Sequence, residues 1–110
     1  MTVDFSKFGD WNAKKAAYLL TVAHELGMKT GGYGELGLNQ NSGNVYLWLE
    51  DYDFCIYMPI SCKLEKAGVW VMWTNPNSGE EIEKTLDEFD GLQSIEDWAR
   101  DLYEKAESEE

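Results

Sequence analysis

Histidine, cysteine and clustered carboxylates are the side chains with which a short chain can do chemistry, and this one has one His, two Cys and 21 Asp plus Glu. A proton-transfer role for His24 needs a partner acid and a cleft. No neighbouring sequence completes a nucleophile, base and orienting acid around it. His24 falls near the apolar stripe of a helix, so a satisfied, partly buried histidine is expected. Six residues separate Cys55 from Cys62, which is not a CxxC, and no second ligand type stands near them. No metal site and no cofactor are therefore expected. Cys55 sits in an apolar run and should be buried and unpaired. A disulfide would need the two cysteines to face each other around a turn. With no nucleophile–base pair and no ligand set, the chain is expected not to be an enzyme.

Gly31-Gly32-Tyr33-Gly34 has the composition of a phosphate cradle but not its context. A cradle needs a helix opening directly after the glycines. Here a helix precedes them and a strand follows, so the run reads as a turn. Asp87-Glu88-Phe89-Asp90-Gly91 has calcium-loop composition without the spaced ligands of an EF-hand.

The carboxylates carry more information as a field than as pairs. Net charge is −12 over 110 residues. Residues 79–110 hold thirteen acids and three bases. Like charges packed so densely repel one another in the compact state. Glu80, Glu81, Glu83, Asp87, Glu88, Asp90, Glu96, Asp97, Asp101 and Glu104 are the candidate binding residues of this acidic surface. Such a field repels nucleic acid and anionic membranes and attracts basic surfaces. Neither nucleic acid nor a membrane is expected as a direct partner. No stretch approaches the roughly 18 apolar residues of a membrane helix, and the first residues show no secretory signal. A cytoplasmic protein with reduced thiols is expected.

These groups must be positioned by one domain spanning 1–110, a length that supports a single core. The spacing predicts a helix over 11–27. Asp10 is its expected N-cap, Gly27 or the pair Gly31-Gly32 its terminator, and Ala13, Ala16, Ala17, Leu20, Ala23 and Gly27 its apolar stripe, widened by Leu19 and Leu26. Lys14 and Lys15 fall on the expected outer side. Strands are predicted over 33–39 (interrupted by glycine), 45–50, 54–60, 69–74 and 81–86. Pro59 marks an edge or a strand end. Turn clusters separate them at Asn41-Ser42-Gly43-Asn44 and Asn75-Pro76-Asn77-Ser78-Gly79. Ser94 reads as the cap of a last helix over 94–106, with Asp97 completing a capping box. Ile95, Trp98, Ala99, Leu102, Tyr103 and Ala106 would form its apolar face, with Asp97, Asp101 and Glu104 opposite. The fold class is α+β: an antiparallel four- or five-stranded sheet with an N-terminal and a C-terminal helix, in the order α-β-β-β-β-β-α.

The strands alternate into two apolar sets. Val45, Leu47, Leu49, Phe54, Ile56, Met58, Ile60, Val69, Val71 and Trp73 look like a core beneath helices. Tyr46, Trp48, Cys55, Tyr57, Trp70 and Met72 occupy the other face, where a solvated sheet is normally polar. A helix or a homodimer is expected to cover that face. The rival reading is a small-molecule or peptide site on Tyr46, Trp48, Tyr57 and Trp70. Base stacking there lacks a basic groove for phosphates.

The leading functional expectation is a non-enzymatic acidic protein that occupies the basic surface of another protein, a nuclease or other nucleic-acid-binding effector. In size, acidity and lack of motifs the chain is similar to phage-encoded anti-defence inhibitors, anti-CRISPR proteins among them, and to bacterial immunity proteins. That similarity is one of composition and implies nucleic-acid mimicry by the acidic half.

Overall fold

A computed structural model of the chain describes residues 9–28, 35–39, 43–48 and 52–108. Helix α1 (Gly9–Glu25) leads into five strands, β1 (Glu35–Asn39), β2 (Asn44–Trp48), β3 (Phe54–Met58), β4 (Trp70–Thr74) and β5 (Glu81–Thr85), and helix α2 (Leu92–Ser108) closes the order. The strands form one sheet in the order β1-β2-β3-β4-β5, each antiparallel to its neighbour. Short connections between consecutive strands favour this meander. In the β4–β5 hairpin, the Asn75 carboxamide oxygen accepts from the N–H groups of Asn77 and Ser78 at 2.8 and 3.3 Å, an Asx turn that reverses the chain.

Alternation along the strands sends Leu38, Val45 and Met58 to one face in one cross-strand row. Leu36, Leu47, Ile56 and Val71 form the next row, and Phe54, Trp73 and Ile82 a third. Ala16, Leu19, Val22 and Ala23 of α1 and Ile95, Ala99 and Ala106 of α2 join the same buried cluster. Both helices therefore cover the same face of the sheet.

Helix α1 ends as its glycine predicts. Gly27 adopts φ 80°, its N–H bonds His24 O at 3.0 Å, and Met28 N–H bonds Ala23 O at 3.0 Å. This paired closure needs a left-handed residue at the glycine, and it delivers Met28 into the core. The start differs from expectation: the helix opens at Gly9, so Asp10 lies inside the first turn.

The buried face of α1 is also rotated relative to the expected stripe. Ala17 is exposed, whereas Lys15 is fully buried. Its ammonium donates to Gly43 O at 3.1 Å and Pro59 O at 3.4 Å. Position 15 lies four and seven residues before Leu19 and Val22, well within the buried arc. Grouping by polarity misplaced it, because a long stem can bury while its head finds carbonyls. His24 is exposed, not partly buried, since it points away from that arc.

Helix α2 opens two residues before Ser94, which is not its cap. The Ser94 hydroxyl donates to Gly91 O at 2.8 Å and accepts from Asp90 N–H at 3.1 Å and Gly91 N–H at 3.2 Å. Asp97 instead accepts from Gln93 Nε2 at 3.0 Å and pairs with Arg100 at 3.3 Å. The carboxylate that reaches back is Glu88, which accepts from Thr85 N–H at 2.9 Å and Thr85 Oγ1 at 3.1 Å. It braces the short 3-10 turn Leu86–Glu88. Tyr103 and Ile60, expected in the core, are 42% and 60% exposed. Strand β3 stops at Met58, so Pro59 marks a strand end; β3 itself is the central strand. The glycine run at 31–34, and Leu49, lie outside the described residues.

Candidate binding face

The opposite face of the sheet is built by the alternate residues. Cross-strand pairing sets Gly37, Tyr46, Tyr57, Trp70 and Thr85 in one row. The adjacent row runs Trp48, Cys55, Met72 and Glu83. Glu81, two residues before Glu83 on β5, points to the same side. Gly37 explains why β1 tolerates a glycine: a Cβ there would collide with the Tyr46 phenol, which lies across it.

Of the two covers expected for this face, a helix or a second copy of the chain, the helix is not found: among the described residues neither helix reaches it. Trp48 is 41% exposed, and Tyr46, Tyr57, Trp70 and Met72 are half-buried. A shallow hollow of about 370 Å³ lies between them, with Tyr46, Trp48, Tyr57 and Met72 as floor and Glu81 and Glu83 on its rim. At the base of the hollow, Cys55 is buried and free. Burial pushes its thiol up to about 11, and the charges of Glu81 and Glu83 push in the same direction. A thiol so held is a poor nucleophile at neutral pH.

The Tyr57 hydroxyl donates to Glu83 Oε2 at 2.8 Å. Burial raises its pKa well above the ordinary phenol value, and the Glu83 hydrogen bond and charge add to the rise. The phenol stays protonated and fixes one carboxylate against the aromatic floor.

The acidic candidates do not form one patch. Glu81 and Glu83 join Tyr46, Trp48 and Tyr57, with Trp70 beside Tyr57 in the same row. Asp97, Asp101 and Glu104 are exposed on α2, which packs on the other face, so they lie across the molecule. Glu80 is in the β4–β5 hairpin, and Asp87, Glu88 and Asp90 lie around the turn before α2. Glu96 is half-buried beside a separate cleft of about 280 Å³ shared with Tyr52, Arg100 and Tyr103. That cleft had no sequence signal, because Tyr52 belongs to a turn and Arg100 to the polar side of a helix. Among the described residues, no group of three His, Cys, Asp or Glu side chains is placed to hold a metal ion. No described helix is long and apolar enough to cross a membrane.

No family model, no curated protein and no solved structure matches the chain. A class by descent is therefore not assigned, and the functional reading rests on the faces of the sheet and the placement of its charges.

Proposed function

We propose that this chain is a non-enzymatic binding protein that occupies a basic surface of another protein. The observation that carries this reading is the state of its acids. Among the described residues a single ion pair forms, Arg100 with Asp97. Glu80, Glu81, Glu83, Asp87, Asp90, Asp101, Glu104 and Glu107 are exposed, and none of them forms an ion pair with a described cation. A surface of this kind disfavours its own compact state and gains most from an external counter-surface. The proposed partner is a nuclease or other nucleic-acid-binding effector, whose phosphate-binding residues supply the positive field. The proposed setting is the cytoplasm, and the class that best fits size and charge is an anti-defence inhibitor or an immunity protein.

The test is capture from a cytoplasmic lysate at low and high salt, followed by competition with nucleic acid. The expected result is retention of a basic protein at low salt, its release at high salt, and displacement of its nucleic acid by this chain. Retention that is insensitive to salt, with a large negative heat-capacity change on binding, would replace this reading with apolar recognition.

A further inference from the structure

Resting on the reading that the partner is basic, we infer that the outward face of the sheet is the docking surface, and that its central occupant is an arginine side chain of the partner polypeptide. The guanidinium would lie on the rings of Trp48 and Tyr57 and pair with Glu81 and Glu83.

Four observations converge on this occupant. Among the described residues no element covers this aromatic face, and the negative face of an aromatic ring attracts a cation, guanidinium above all. Its hollow, about 370 Å³, is at the small end of the range for ligand sites, roughly 300–1,000 Å³. Two carboxylates stand on its rim, and the one nearby base on β5 is turned away. Lys84 pairs across from Val71, which places it on the helix-covered side, and no ion pair with Glu81 or Glu83 forms among the described residues. Finally, Tyr57 holds Glu83 in position, so the acceptor is ordered before the ligand arrives.

The same features exclude other occupants. Nucleic-acid bases stack on such floors only where phosphates are neutralised, and here the rim is acidic. A second copy of this chain would bring Glu81 and Glu83 against a molecule of charge −12, which disfavours the homodimer expected from the aromatic pattern alone. Arginine is preferred to lysine because its planar fork can stack on a ring and engage carboxylate oxygens at once.

The test is an NMR titration of the full chain with an acetylated, amidated Gly-Arg-Gly-Arg-Gly peptide. Matched peptides carrying lysine, or citrulline as the neutral isostere, serve as comparisons. The expected result is saturable shifts of the Trp48 indole N–H and of amides at 46–48, 55–57, 70–72 and 81–83. Binding should be weaker for lysine and absent for citrulline. Glu81→Gln with Glu83→Gln should weaken the arginine peptide about fivefold while leaving the other resonances in place. Shifts confined to Asp97, Asp101 and Glu104 would overturn this inference and leave the basic-partner reading standing. Equal binding of the citrulline peptide would overturn it in favour of an apolar peptide site. An absence of binding by any of the three peptides would overturn it as well. Loss of salt-sensitive capture from lysate would overturn the basic-partner reading itself.

Discussion

The two faces of the sheet are both apolar, yet they are used in opposite ways. On the inner face, Val45, Leu47, Phe54, Ile56, Met58, Val71 and Trp73 are each at most 2% exposed, sealed by Leu19 and Val22 of α1, Ile95 of α2 and the alanines beside them. On the outer face, Tyr46, Tyr57 and Trp70 are half-buried and Trp48 is exposed, with Glu81 and Glu83 beside them. An apolar surface sealed within the chain stabilises the fold, whereas one left open and rimmed with charge is available for recognition. The comparison also separates the acids. Those of α2 sit over the sealed face, and Glu81 and Glu83 sit beside the open one.

The largest expected difference is in stability. Ile56→Ala should cost about 3–4 kcal/mol in urea unfolding, since Ile56 is fully buried and its neighbours can relax only in part. A cost below about 1 kcal/mol would show that the inner face is loosely packed. Next is Lys15→Ala, expected to cost about 2–3 kcal/mol, because two half-buried carbonyls lose a charged donor and the buried stem leaves a void. Lys15→Met, which keeps most of the stem, should cost less by the same measurement.

A smaller effect depends on pH and reports on the floor of the outer face. The folded Cys55 thiol lies at about 11 against an ordinary value of 9.0. Below pH 9 the thiol is protonated in both states. Between about 9 and about 11 the unfolded chain loses this proton and the folded chain keeps it, so stability falls as pH rises. The thiol's share of that decline is about 2 kcal/mol. Urea melts across this window should show a steeper decline for wild type than for Cys55→Ala. Parallel curves would mean that Cys55 is solvated when folded. The smallest effect should come from Trp48→Ala, at about 1 kcal/mol or less, because the side chain is 41% exposed. A loss as large as that of Ile56→Ala would show that the outer face is a second core.

Much of this architecture was legible because two periods are written plainly in the chain. Alternation in 45–50, 54–60 and 69–74 placed every described core strand residue except Ile60 on the correct side, and turn residues divided the strands. Gly27 gave the end of α1. The misplacements share a physical origin. Lys15 was sorted by its charge, although its angular position and long stem place it inside. Ser94 and Asp97 match a capping box by spacing, but Gly91 supplies the first helical carbonyl, to Ile95 N–H at 3.3 Å. The outer aromatic set was visible, and what sits over it was not, since strand alternation says nothing about which face the helices choose. For the same reason, the proximity of Glu81 and Glu83 to Trp48 and Tyr57 needed the register of β2 through β5.

The most direct test of the account compares the two acidic surfaces in one binding assay. Calorimetric affinity for the basic protein retained by capture should be measured at low and high salt for three chains: wild type, Glu81→Lys with Glu83→Lys, and Asp101→Lys with Glu104→Lys. The account predicts a marked loss for the sheet-face reversal at low salt, a smaller one for the helix reversal, and a narrowing of both as salt rises. A helix reversal that abolishes binding while the sheet-face reversal leaves it intact would contradict the account.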